Sequence, residues 1–461
     1  MGVKESSSAA LLKKQRAFFV TDQTKSVNFR LQQLKKLRKI IKANEEEITS
    51  ALASDLGKHP LESYATEIGL VLREIRVTEK KLASWVKDKR VSTPFFLWPS
   101  TSKVSYEPLG NVLIIGPFNY PFQLLLMPLI GAIAAGNTAV IKPSELTPKT
   151  AQLIKRMIAA TFNEEYLAVV EGGKEINQEL LSESFDYIFF TGSKKVGKIV
   201  LQQAAAHLTP VTLELGGKSP AFVTKNSDLK LAAKRIIYGK MINAGQTCVA
   251  PDYVLVDATK QTDFIKECVK VIEKFYGKSP QNSDDYARIV NSRHFQRLAD
   301  LLEKSTTEII HGGHKKASNL YIEPTLLKAN WQSATMTDEI FGPLLPIISY
   351  RDLSQVLEIV KKQSKPLATY IFSTDKKEQK EILTKISSGG VSINHTIFQL
   401  ASDKLPFGGV GQSGMGNYHG KASFLTFSHQ KSVLTAKRID TPFIFPPYQK
   451  SHLKWLRKIL K

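Results

Sequence analysis

Apolar side chains recur at helical spacing from about residue 15 to 86, with lysines on the opposite face. Leu31, Leu34, Leu37, Ile40 and Ile41 form one such stripe, and the pattern predicts a layer of amphipathic helices. Between about 91 and 106 the chain turns to Pro, Ser, Thr and aromatic residues, which predicts a strand hairpin that leaves the domain body to pair elsewhere. From 112 to 215, short apolar runs at 112–115, 138–141, 167–170, 187–190 and 211–213 alternate with helical stretches, the signature of a doubly wound parallel sheet. A second series runs from 221 to about 424, with apolar runs at 253–256, 345–348, 369–371 and 391–393, and predicts a second α/β domain. After 428 the tail is rich in Lys, Pro and aromatic residues.

The stretch 108–141 contains no charged side chain and is long enough to span a bilayer. Pro117, Pro121 and Pro128, with Asn119 and Asn137, would leave unsatisfied backbone and buried amides in lipid. The same residues suit a strand at 112–115, a turn, a helix at 122–135 and a strand at 138–141.

Charge and cysteine content narrow the function classes. Lys and Arg outnumber Asp and Glu by 64 to 42, a formal charge of +22 over 461 residues. The lysines are scattered, without zinc-ligand spacing, aromatic-interleaved basic repeats or an RNA-binding signature, so the charge reads as a soluble basic surface, with no nucleic-acid partner and no metal site. Two cysteines cannot make a disulfide framework, and a reducing, cytoplasmic setting fits. The polar opening Met-Gly-Val-Lys-Glu-Ser-Ser-Ser lacks the apolar core of a secretory signal, so export is not expected.

Three residues are candidates for chemistry. Cys248 sits among small residues in Asn243-Ala-Gly-Gln-Thr-Cys-Val-Ala-Pro251, where a carbonyl could approach; the segment alone leaves a nucleophilic thiolate and an ordinary buried thiol both open. Cys268 aligns with Phe264, Ile265, Ile272 and Phe275 and reads as core. Glu214, in Leu213-Glu-Leu-Gly-Gly-Lys-Ser219, is either a solvated strand-end carboxylate or a buried base whose pKa burial raises. Asn119, in Gly116-Pro-Phe-Asn-Tyr-Pro121, is either a turn-forming residue or a buried amide donor for an oxyanion.

These segments resemble the aldehyde dehydrogenase superfamily. Joined by Ile141-Lys-Pro-Ser-Glu145, Phe190-Thr-Gly-Ser193 with Val196-Gly197, Glu339-Ile-Phe-Gly-Pro343 and Leu405-Pro-Phe-Gly-Gly409, they occur in the superfamily's order over about 15–448. The run Ser413-Gly-Met-Gly-Asn-Tyr-His-Gly420 and the late Pro446-Pro-Tyr448 are similar to the class 3, fatty or aromatic aldehyde, branch. The resemblance implies an α/β aldehyde dehydrogenase fold: a variant Rossmann NAD(P)-binding domain at 1–89 and 111–216, a second α/β catalytic domain at 217–422, and a bridging and oligomerisation β element at 90–110 and 423–448. A homodimer is implied as well.

It further implies a Cys248 nucleophile that forms a thiohemiacetal and then a thioester. Asn119 and the Cys248 N–H would hold the oxyanion, and Glu214 would activate the hydrolytic water. Gly192-Ser-Lys-Lys-Val-Gly197 is not the ordinary Gly-x-Gly-x-x-Gly. Gly192, Ser193 and Gly197 would place a helix N-terminus beside the pyrophosphate, with Val196 against the adenine. Lys142 and Glu145 would contact the adenosine ribose, and Glu339 and Phe341 the nicotinamide side. The Glu145 carboxylate favours NAD, while Lys142 leaves NADP acceptable. Tyr120 and Asn394 are candidates for the substrate pocket.

The chain departs from class 3 at Asn394-His-Thr-Ile-Phe-Gln399, where that class has Asn-Asp and, four residues on, His; His395 and Gln399 therefore carry no inherited role. The tail 449–461 puts Leu453, Leu456, Ile459 and Leu460 on one helical face and Lys454, Arg457, Lys458 and Lys461 largely off it. That pattern suits either the surface of an anionic membrane at the cell's inner face or packing on protein. A CoA- or phosphate-dependent acylating dehydrogenase would share the cysteine without needing Glu214. A non-catalytic lipid-binding relative would be expected to lose Cys248, Glu214 or Asn119.

Overall fold

A computed structural model describes residues 7–439 and 445–460. The polar opening at 1–6 and Lys461 lie outside these residues. The predicted helical layer is present as Ser7–Phe19, Val27–Ala43, Glu45–Leu56 and Gly69–Trp85. In the second of these, Leu34, Leu37 and Ile41 are fully buried, while Leu31 and Ile40 pack at the edge of the same core. Ser26 caps this helix by accepting the Phe29 N–H at 3.4 Å. A π-helical turn, Tyr64–Ile68, interrupts the layer just before Gly69–Trp85.

The helices cover a six-stranded sheet whose order is Gly414–Met415, Val211–Glu214, Tyr187–Thr191, Asn111–Ile115, Thr138–Lys142 and Leu167–Val169. All its pairings are parallel except the first. Asn111–Ile115, Thr138–Lys142 and Tyr187–Thr191 are buried at every position, because helices pack on both faces; this is why they read as unbroken apolar runs. The uncharged stretch 108–141 is here a strand, a turn, the wholly buried helix Gln123–Ala135 and a strand. No described helix is long and apolar enough to cross a membrane.

A seven-stranded sheet follows, ordered Ile309–His311, Thr325–Lys328, Leu344–Tyr350, Tyr253–Asp257, Pro220–Val223, Ala368–Phe372 and Gly390–Ile393. Its core includes Cys268, fully buried on helix Gln261–Tyr276. The predicted hairpin is Lys89–Val91 with Thr101–Pro108, and it gains Ser428–Thr435 as a third, antiparallel strand. The two large sheets do not divide cleanly at the expected boundary near 217. Gly414–Met415 returns from the second half to pair with Glu214 and Leu213 at the edge of the first sheet, and Phe424 and Phe427 complete the first core.

Candidate active site

Glu214 is the last residue of Val211–Glu214, held between Thr191 and Gly414 in register. It is 2% exposed, and neither carboxylate oxygen has a hydrogen-bond partner among the described residues. Burial without compensation pushes its pKa well above the ordinary carboxylate value.

Cys248 lies in the loop between helix Leu229–Met241 and strand Tyr253–Asp257. The loop is shaped by left-handed backbone at Asn243 (φ 52°) and Ala244 (φ 51°). Gly245 follows at φ 76°, with the Gly342 carbonyl oxygen 2.3 Å from where a Cβ would stand, so only glycine fits. The half-buried thiol has its pKa pushed up by desolvation and by the charges of Glu339 and Glu214; the Cys248 and Val249 backbone amides act the other way.

Asn119 stands in the turn between Asn111–Ile115 and Gln123–Ala135 and is 2% exposed. Its side-chain amide donates to the Gln246 carbonyl at 2.9 Å, which ties it to the cysteine loop. Its own carbonyl accepts from Asn243 Nδ2 at 2.7 Å and from Lys58 Nζ at 3.0 Å. Lys58 pairs with Glu67, both fully buried, and stands 4.0 Å from the Tyr120 ring centroid. Glu62 accepts the Asn243 N–H at 3.0 Å; desolvation pushes its carboxyl up to about 7, against the charge of Lys58.

A cavity of about 260 Å³ opens on Cys248, lined mainly by apolar side chains that include Leu70, Tyr238, Phe398, Phe407 and Tyr418. Tyr120 lines it too, its hydroxyl 2.7 Å from Thr247 Oγ1. Asn394, expected here, is not part of the lining. It has φ 56° at the end of Gly390–Ile393, and its side-chain amide both donates to the Ser373 carbonyl and accepts the Ser373 N–H, each at 3.0 Å. This pairing turns the side chain toward the residue just past the neighbouring strand Ala368–Phe372. His395 likewise stays out of the lining, its ring stacked on Phe398 at 3.9 Å. Gln399 Nε2 reaches the Tyr370 hydroxyl at 3.5 Å.

The residues expected at the cofactor gather at the carboxyl ends of the first sheet. Ser193 caps helix Lys194–Ala205 by accepting the Val196 N–H, and that helix has no acidic residue in its first turn. Val196 is 43% exposed, an uncovered apolar surface beside the cap. Gly192 and Gly197 have no room for a Cβ, which would come within 2.6 Å of the Phe190 ring and 2.7 Å of the Leu215 side chain respectively. Buried Lys142 pairs with Glu145 at 2.8 Å. Burial opposes ionisation of Glu145, but the Lys142 hydrogen bond and charge hold its pKa below the usual value. Glu339 packs over Gly216, where a Cβ would stand 2.0 Å from Oε2, and desolvation with the nearby Asp252 pushes its pKa up to about 8. Phe341 (φ 49°) packs edge-on to Phe118, ring centroids 5.8 Å apart.

Lys58, Glu62 and Glu67 were not legible as site residues. Lys58 lies in the loop after Glu45–Leu56 and Glu62 and Glu67 on the short helices that follow, where charged positions ordinarily read as solvated, and no local motif marks them. Among the described residues no group of three or more His, Cys, Asp or Glu side chains is placed to hold a metal ion.

Residues 4–433 match the aldehyde dehydrogenase family. A 4,4'-diaponeurosporen-aldehyde dehydrogenase of Staphylococcus aureus is 51% identical over 97% of both chains. The dimeric NADP-preferring aldehyde dehydrogenase of Rattus norvegicus is 46% identical over 94% of this chain and 96% of its own. The solved substrate-bound state of Staphylococcus aureus AldH superposes with a TM-score of 0.97 over 100% of both chains, at 49% identity. The chain belongs to the aldehyde dehydrogenase family.

Proposed function

We propose that this enzyme oxidises lipophilic aldehydes to carboxylic acids with NAD(P), through a thioester on Cys248. The observation that carries the reading is Glu214, a buried carboxylate with both oxygens unpartnered, in the same chain as a cysteine that opens on an apolar cavity. A buried acid without partners costs stability, and a base that must take a proton from water is a reason to keep it.

In this scheme the Cys248 thiol gives up its proton to solvent and the thiolate adds to the carbonyl carbon, and the Asn119 amide with the Cys248 N–H holds the resulting oxyanion. NAD(P), when bound, supplies the hydride acceptor. Glu214 then takes a proton from water as it attacks the thioester, releasing acid and free thiol. Per turnover, one aldehyde, one water and one oxidised cofactor give one acid, one reduced cofactor and one proton.

The residues fit a dinucleotide. The Ser193-capped helix offers backbone N–H groups to a pyrophosphate, exposed Val196 offers an apolar face to adenine, and Lys142 with Glu145 suits ribose hydroxyls. Glu339 and Phe341 would hold the nicotinamide end. The carboxylate at Glu145 supports NAD over NADP, although the rat relative is named NADP-preferring.

In the domain reading, 1–89 and 111–216 bind cofactor and 217–422 carry the nucleophile. The segments 90–110 and 423–448 bridge two copies in a dimer, as the name of the rat relative supports. The name of the S. aureus relative and the apolar cavity both support a long, apocarotenoid-like aldehyde. The tail helix Lys450–Ile459 has no buried residue, and Leu453, Trp455 and Leu460 are exposed, which supports peripheral contact with an anionic membrane.

NADH absorbance on mixing with decanal or benzaldehyde, with and without CoA or phosphate, tests the central claim. Turnover independent of both additives is expected. No signal with any aldehyde overturns it, and dependence on either additive favours an acylating enzyme. For the tail, equal recovery of full-length and Lys450-truncated protein with floated anionic liposomes overturns membrane contact.

A further inference from the structure

The cavity that opens on Cys248 has a polar side recess. Leu70, Gln123, Leu400, Ala401 and His419 line both the cavity and a second pocket of about 20 Å³, room for one water-sized group. The recess adds Glu74, together with Arg73 and Asp403, which pair with each other at 2.8 Å.

Its polar groups hold unused hydrogen-bonding capacity. His419 is 4% exposed and its Nε2 has no partner among the described residues. Glu74 is 3% exposed and accepts the Gly420 N–H at 2.7 Å through one oxygen. Gln123 is 8% exposed; its backbone N–H is bound to Glu67, while its side-chain amide bonds to no described residue. Buried polar groups are ordinarily satisfied, and the orphaned His419 Nε2, with the Gln123 amide and the Glu74 carboxyl beside it around one water-sized space, marks a place for a polar guest.

We propose that this recess recognises a hydroxyl group carried by the aldehyde substrate away from its carbonyl carbon. A hydroxyl donates one hydrogen bond and accepts others, which matches a carboxylate that accepts beside an amide that donates. A second carboxylate on the substrate would meet Glu74, with the Arg73 charge already taken by Asp403, and a plain alkyl group would offer no partner to the His419 Nε2 or the Gln123 amide. Burial also pushes the Glu74 carboxyl up to about 7 and the His419 ring down to about 4, so the imidazole is neutral at pH 7 with a bare nitrogen to offer. The inference rests on the reading that the Cys248 cavity takes the aldehyde.

The test compares kcat/KM for decanal with that for hydroxydecanals whose hydroxyl is moved along successive carbons. At one position the hydroxylated substrate is expected to be favoured by roughly tenfold, and Gln123→Leu and Glu74→Gln to bring that ratio down toward one. Using two variants and a ratio keeps the result readable if either variant folds poorly. Turnover of decanal with a ratio near one at every position overturns the subsite alone and leaves a recess that holds only water. A tenfold ratio unchanged in both variants overturns the assignment to these residues. No NADH from either series overturns the Cys248 reading itself.

Discussion

The Lys58 ammonium donates to the carbonyl oxygen of Asn119 at 3.0 Å, a bond between the N-terminal helical layer and the turn that presents the proposed oxyanion donor. Lys58 is neutralised by Glu67, whose second oxygen accepts the N–H groups of Phe122 and Gln123 at 2.9 and 3.1 Å. One buried ion pair thus grips this turn at both its middle and its end. On the proposed mechanism, Lys58 is a positioning residue that acts through Asn119.

Lys58→Met is expected to lower kcat by about tenfold to hundredfold, because a small displacement of a reacting-centre donor is costly, with little change in KM. It should also cost about 3–5 kcal/mol of stability by stranding Glu67. Adding Glu67→Gln should restore much of the melting temperature without restoring kcat. Full recovery of kcat in the double variant would show that Lys58 matters only for folding.

Glu214→Gln is expected to release one equivalent of NADH in a burst and then to turn over about 10²-fold more slowly or worse, since acylation does not need the base and hydrolysis does. Rapid-mixing absorbance reads both phases. A base must be deprotonated, and burial raises the pKa of this one, so wild-type kcat should climb with pH. If the variant keeps full steady-state turnover, water is activated elsewhere.

Glu62 has an opposite signature in stability. Its pKa is raised by desolvation from 4.5 unfolded to about 7 folded, so the folded state holds the extra proton across that window. This contribution is complete below pH 4.5 and is lost as pH rises through 7. Glu62→Gln keeps an acceptor for Asn243 and removes the titration. The difference in melting temperature, variant minus wild type, should grow from pH 5 to pH 8; a flat difference would refute the assignment. The reverse trend from buried Lys240, lowered by desolvation from 10.5 to about 8, acts in the higher window and leaves this one clear.

Glu145→Gln removes the carboxylate beside Lys142 and should raise kcat/KM for NADP relative to NAD by on the order of tenfold, a modest factor because Glu145 is half exposed. Steady-state kinetics with each cofactor reads the ratio. An unchanged ratio would place the determinant elsewhere.

Local composition singled out the catalytic candidates, with glycines after Glu214, prolines around Asn119 and small residues around Cys248, but left each open between chemistry and an ordinary role; the family resemblance chose between them. Asn394 was expected at the pocket from the resemblance, yet its amide pairs with Ser373, just past the neighbouring strand Ala368–Phe372 and 21 positions away. A motif preserves a residue's identity without stating which way it faces.

By itself, the sequence determined the alternation of helix and strand and the burial of the first sheet on both faces, because hydrophobic period is a local property. It also marked Cys248 and Glu214. Only the tertiary structure decided that Lys58 serves Asn119 across 61 positions, that Glu62 holds the Asn243 backbone across 181, and that Gly414–Met415 closes the edge beside Glu214. Helical spacing shows that a face is polar; whether its charges meet water or a buried turn depends on what packs against it.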